Sequence, residues 1–220
     1  MSSATQTARA DHGESKFLQH HFREMSQQFE AAKIGMWLFL FTEVLLFGGL
    51  FLLYAVYLHR YPAEFHAAGK DLSRIFGTAN TIVLITSSLC MALAISALQR
   101  GKVLLSQRLV LLTVAMAGVF LVNKFFEWSA KIGHGIYPNS PGLLALPPGE
   151  MVFFNLYYLM TGLHGVHVII GGAVLMYGWH LMRAGRVTPE HFVFLENGGL
   201  YWHLVDLVWI YLFPLFYLVV

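Results

Sequence analysis

His164 and His167 stand three residues apart in the run TGLHGVHVIIGG, and His203 and Asp206 three apart in YWHLVDLVWIYLFP. Glu43 sits in FLFTEVLLFGG, where nearly every neighbour is apolar or glycine. A spacing of three puts both members of each pair on one face of a helix. An ionised carboxylate in an apolar surrounding is costly unless something bonds, pairs or protonates it. Imidazoles and carboxylates on facing helices can bind iron or zinc, carry a haem between two histidines, or hydrogen-bond to one another.

The spacing bears on all three readings. A di-iron bundle uses Glu-x-x-His on two helices, whereas the pairs here are His-x-x-His and His-x-x-Asp, and no His-Glu-x-x-His occurs for zinc. His164 and His167 share one face and cannot both ligate one haem iron axially; His203 would have to be the second ligand. The favoured reading is a lock between helices that neutralises Glu43, each bond contributing on the order of 0.6–2 kcal/mol. A proton-handling role for Glu43 is compatible with it. Asn80 and Thr81 form a secondary polar set with Asn123, Lys124 and Glu127 of NKFFEWSAK. Lys124 and Glu127 read as an ion pair or a snorkelling pair at a membrane interface. Gly48, Gly49, Gly171 and Gly172 read as places where helices or lipid tails approach closely. No Gly-rich phosphate loop, nucleophile elbow or cysteine motif is present.

The elements that must carry these residues are membrane helices. Of 220 residues, 57% are hydrophobic and only 12% charged, about half the charge of an ordinary soluble domain. Five apolar segments, about 34–58, 77–98, 103–128, 151–181 and 197–220, each reach the roughly 20 residues a crossing needs. None alternates as a barrel strand would. The expected fold is an all-α bundle of five transmembrane helices spanning residues 33–220, preceded by a polar tail, residues 1–32. In that tail Phe22, Met25 and Phe29 fall at helical spacing, so it either lies on the membrane surface, docks a partner or stays solvated. It has no apolar stretch of the signal-peptide kind. The QRGK break (Gln99–Lys102) is short enough to make segments two and three antiparallel neighbours. Nine of the 14 Lys and Arg side chains fall on the side of the N-terminus and five on the other, which predicts a cytoplasmic N-terminus and a C-terminus outside. Trp37, Trp179 and Trp202 then mark the inner interface, and Trp128 the outer. Depth counting places Glu43 roughly 14 Å into segment one and Asp206 equally far into segment five, near the level of the two histidines of segment four. A net charge of +2 gives no reason to expect nucleic acid, and the lone Cys90 packs as a small hydrophobe.

Taken in order, KIGMWLFLFTEVLLFGG, TANTIVLITSS, KFFEWSAKIGHGIYP, TGLHGVHVIIGG and YWHLVDLVWIYLFPLFYL resemble subunit III of the haem–copper terminal oxidases, the cytochrome c oxidase type, over about residues 33–220. The resemblance is to the five-helix form, which lacks the first two of seven helices. It implies a non-catalytic subunit without haem, copper or other redox centre of its own, acting as an enzyme only within a complex that reduces oxygen to water and pumps protons. It further implies partners: subunit I in direct contact, subunit II, a small subunit IV, and a larger respiratory supercomplex. Haem and copper are expected in those partners. Bound phospholipid is expected in a cleft left open on one side or closed by another subunit, in a bacterial cytoplasmic membrane. By motif, Glu43 matches the family's membrane-embedded carboxylate, His164 and His167 its paired histidines, and His203 and Asp206 its WHxxD segment. Quinol oxidases and an accessory protein of nitric oxide reductases have five-helix versions too. Rivals from other classes are a stand-alone membrane metalloenzyme and a proton-coupled transporter, the latter disfavoured by the lack of an internal repeat.

Overall fold

A computed structural model describes residues 24–218. Phe22 and the rest of the tail ahead of Glu24 lie outside the described residues. The described chain is all-helical: α1 (Met25–Arg60), α2 (Pro62–Lys70), α3 (Arg74–Gln99), α4 (Val103–Gly133), α5 (Pro141–Leu144), α6 (Pro148–Arg183) and α7 (Val193–Phe213). A π-helical turn, Pro214–Leu218, continues α7. Five of these helices are long and apolar enough to cross a membrane, as expected. They run past the apolar segments at most of the ends. In particular, α1 starts at Met25 rather than near residue 34. SQQFEAAK is polar but made mostly of good helix formers, so the helix continues where the apolar run stops.

Local chemistry explains the breaks. Pro62 and Pro148 open α2 and α6, where a missing N–H costs nothing. Ser140 caps α5, its hydroxyl accepting from Leu143 N at 3.1 Å. Gly101 takes a left-handed backbone, φ 75°, in the tight turn between α3 and α4. Those two helices pair antiparallel along their length, as the short connection predicts.

α3, α4, α6 and α7 form one packed body. Its centre is aromatic: Trp202, Trp209, Tyr157, Tyr217, Phe120, Phe153 and Phe216 are fully buried. Trp202 is therefore no interface anchor; its indole donates to Ser87 Oγ at 3.1 Å inside the bundle. Trp37, by contrast, is 63% exposed. α1 stands at the margin. Only 11% of its apolar window is buried, against 50% for the last span, and it touches the body along α6 and α7. Phe29 and Lys33, near its start, meet His191 ring to ring at 6.2 Å and Glu196 at 3.2 Å. Met25 and Phe29 thus belong to a membrane helix seated on the α6–α7 connection. Cys90 is buried and free.

Of the four glycines expected where helices or lipid tails approach, Gly171 is at a helix contact. A Cβ there would lie 2.9 Å from Trp202, while Gly48, Gly49 and Gly172 face open space.

Candidate functional site

Two buried polar centres emerge, one on each side of the bundle. The first joins α1 to α6. His167 Nε2 lies 2.8 Å from Glu43 Oε2, and its Nδ1 donates to the Leu163 carbonyl at 2.8 Å. A carbonyl oxygen only accepts, so Nδ1 carries a proton. The Nε2···Oε2 line then holds one more, shared between imidazole and carboxyl. Phe47 closes the pair from one side, its ring 5.2 Å from that of His167. The expected partnership of Glu43 with a histidine of segment four is what the structure shows.

The rest of the expected layer does not join it. His164 is fully buried, donates through Nε2 to the Val205 carbonyl at 3.1 Å and packs against Phe120 and Trp209. His203 meets the hydroxyl of Ser88 through Nδ1, 2.5 Å away. Asp206 is 3% exposed and lies beside the same Ser88 hydroxyl, without a well-formed hydrogen bond to either carboxyl oxygen. Depth counting was right about level and wrong about direction. On α7, which itself touches α1, position 206 falls on the inner face with Trp202 and Trp209 and does not bond to Glu43. Only His167 and Glu43 pair directly, and among the described residues no three His, Cys, Asp or Glu side chains converge as metal ligands.

The second centre, expected at a membrane interface, is buried within the bundle rather than open to lipid. Lys124 and Glu127 are 7% and 5% exposed. Lys124 Nζ donates to Glu127 Oε2 at 3.0 Å, to Tyr157 Oη at 3.0 Å and to Tyr217 Oη at 3.1 Å. Both phenols donate to Glu127 Oε1, at 2.9 and 2.6 Å. The ammonium also lies 5.4 Å from the Trp209 ring centroid, a favourable placement for a cation. So the ion-pair reading holds and the snorkelling reading fails: the lysine points inward because two hydroxyls and a carboxylate await it. Tyr157 and Tyr217 are the residues that sequence reasoning missed. A phenol in an apolar run needs a partner for its O–H, and counting depth from Pro148 puts Tyr157 roughly 14 Å into α6, close to the level of Glu127.

The secondary residues extend this centre. Asn123 Nδ2 donates to Asn80 Oδ1 at 2.9 Å, bridging α4 and α3. Thr81 Oγ1 donates to the Gly77 carbonyl and accepts from Trp209 Nε1 at 3.0 Å. Tyr54 of α1 donates to the Leu215 carbonyl and stacks edge-on with Phe65 and Phe216, fastening α1 and α2 to the π-helical turn.

Fold and interior together define a multi-pass helical membrane protein whose buried polar side chains are spent mainly on joining its own helices. The family model for cytochrome c oxidase subunit III matches residues 1–219, and the chain belongs to that family. Among its relatives, the cytochrome c oxidase subunit 3 of Thermostichus vulcanus is 33% identical over 187 residues, covering 84% of this chain and 86% of that protein. The Synechocystis sp. protein of the same name is 31% identical, covering 84% and 74%. A heme-copper oxidase subunit I+III of Aeropyrum pernix is 31% identical over 197 residues, which span 84% of this chain and 22% of that longer polypeptide.

Proposed function

We propose that this chain is a non-catalytic subunit of a proton-pumping, oxygen-reducing oxidase of a bacterial cytoplasmic membrane, oriented with its N-terminus inside. It packs against the haem-bearing subunit I, holds phospholipid, supports proton uptake and carries no redox centre itself. The observation that weighs most is the use of the interior. Glu43, His167, Lys124 and Glu127 are engaged with each other or with phenols, and His164 and His203 with a carbonyl and a serine. Their arrangement suits holding helices together.

Two further observations support the assignment of partners. The Aeropyrum pernix relative is named as subunits I and III together, so a chain of this kind works beside subunit I there. The outward face of α1 carries Trp37, Leu38, Phe41, Val44 and Leu45, all exposed. A membrane helix with so little of its surface covered is available to a neighbouring subunit or to lipid.

Affinity purification of the tagged chain in mild detergent tests the proposal. Co-purification of a haem-bearing, many-helix partner is expected, with haem and copper following that partner. Stoichiometric iron, zinc or copper on the separated chain overturns it. An oxidase lacking this chain is expected to turn over at first and lose activity faster during sustained work.

A further inference from the structure

A cleft of about 490 Å³ opens where α3 begins and α4 ends, lined by Asp71, Ser73, Phe76, Phe126, Lys131 and His134, among others. It is distinct from the apolar grooves beside α1. Its size falls within the roughly 300–1,000 Å³ of small-molecule sites. Lys131 is held in its wall, Nζ donating to the Asp71 carbonyl at 2.7 Å and lying 5.4 Å from the Phe154 ring centroid. That fixes the ammonium; the Asp71 and Glu127 carboxylates act on it from a distance, but among the described residues none pairs with it within 4.0 Å. Glu127 on the floor is already matched by Lys124. Asp71 on the rim is exposed.

Position in the membrane narrows the ligand. α4 has 31 residues, about 46 Å of helix, against a hydrocarbon core of about 30 Å. Lys131, two residues from its end, therefore lies at headgroup level. Just below it Phe126 and Phe76 are 59% and 39% exposed, an aromatic wall beside which acyl chains can run. A fixed ammonium, a nearby carboxylate and an apolar wall beneath match one molecule: a phospholipid with a phosphate and a primary ammonium in its headgroup.

We infer that this cleft is a binding site for an aminophospholipid, the phosphate on Lys131 and the lipid ammonium on Asp71, with the chains against Phe76 and Phe126. The inference rests on the lipid-holding part of the proposed function and gives it a location and a headgroup.

Native mass spectrometry of the full chain with its co-purifying subunits, delipidated and then titrated with phosphatidylethanolamine or phosphatidylglycerol of identical chains, tests it. The wild type is expected to retain phosphatidylethanolamine at least fivefold better. Lys131→Gln should lose most of that retention. Asp71→Asn should keep lipid but lose the preference, and Lys33→Gln, a cation elsewhere, should change nothing. Melting temperatures of all variants separate lost binding from lost folding. Retention that ignores both Lys131→Gln and Asp71→Asn overturns the site while leaving lipid binding elsewhere intact. No retained lipid at all overturns the lipid part of the proposed function as well. A partner side chain filling the cleft in the assembled complex also rejects it.

Discussion

Glu43 and Glu127 are both carboxylates carried on apolar membrane helices, and the protein treats them differently. Glu43 rides on the least covered helix, at the edge, and has one partner, His167. Glu127 sits in the body, where Lys124, Tyr157 and Tyr217 supply three donors from three elements. At the edge one shared proton suffices. In the body, packed among three elements, the charge is held by several donors at once. Of these two, the better-buried carboxylate has the more partners and should cost more to disturb; Asp206, buried without a well-formed bond, stands outside that pattern.

The sharpest way to break the comparison is to strip one partner from the core pair. Glu127→Leu leaves Lys124 as a buried, unpaired charge and should cost about 3–5 kcal/mol, read as a fall in the denaturant midpoint in detergent. Replacing both, Lys124→Met with Glu127→Leu, should recover most of that loss. At the edge, His167→Leu should cost less, about 1–2 kcal/mol, because one hydrogen bond is lost at a less buried site and α1 has few other contacts to lose. A loss at His167 equal to that at Glu127 would show that α1 is held far more tightly than its exposure implies.

Glycines sharpen the same contrast. Gly77→Ala puts a Cβ 2.8 Å from Phe213 and 2.9 Å from Tyr217, so it should cost about 1–3 kcal/mol by overpacking. Gly48→Ala on α1 meets nothing within 4 Å and should be neutral or slightly stabilising to the helix. Thermal midpoints of the two variants, measured side by side, check this. The smallest effect belongs to Lys33–Glu196, a part-exposed ion pair at 3.2 Å. Lys33→Gln should change stability by less than about 1 kcal/mol, and by still less at high salt.

Much of the architecture was legible because the bilayer demands long apolar helices, and the five runs declare themselves. Helix ends were not, because Met25–Lys33 is polar yet helical, and composition marks the hydrocarbon boundary rather than the end of a helix. The Glu43–His167 contact could be found by depth. Depth alone could not say that Asp206 turns away from Glu43, since that depends on how α7 is rotated against its neighbours. The Lys124–Glu127 centre was visible as a spacing, but its burial inside the bundle was not. What fixes it inside is a pair of tyrosines from distant parts of the chain, and an aromatic in an apolar stretch looks like packing until its hydroxyl is given a direction. Trp202 was misplaced for a related reason: an indole N–H that suits an interface suits a buried serine equally well.

Tyr217 belongs to the π-helical turn that follows α7. Until it is made, Glu127 holds two donors instead of three, and the π-helical turn that anchors Tyr54 of α1 through the Leu215 carbonyl does not exist. A nascent polypeptide halted ahead of Pro214 would own most of every crossing and still lack the clasp that joins its first helix to its last. Making the Pro214–Leu218 turn is thus itself a folding event, and a truncation ahead of it should send the product to membrane proteases.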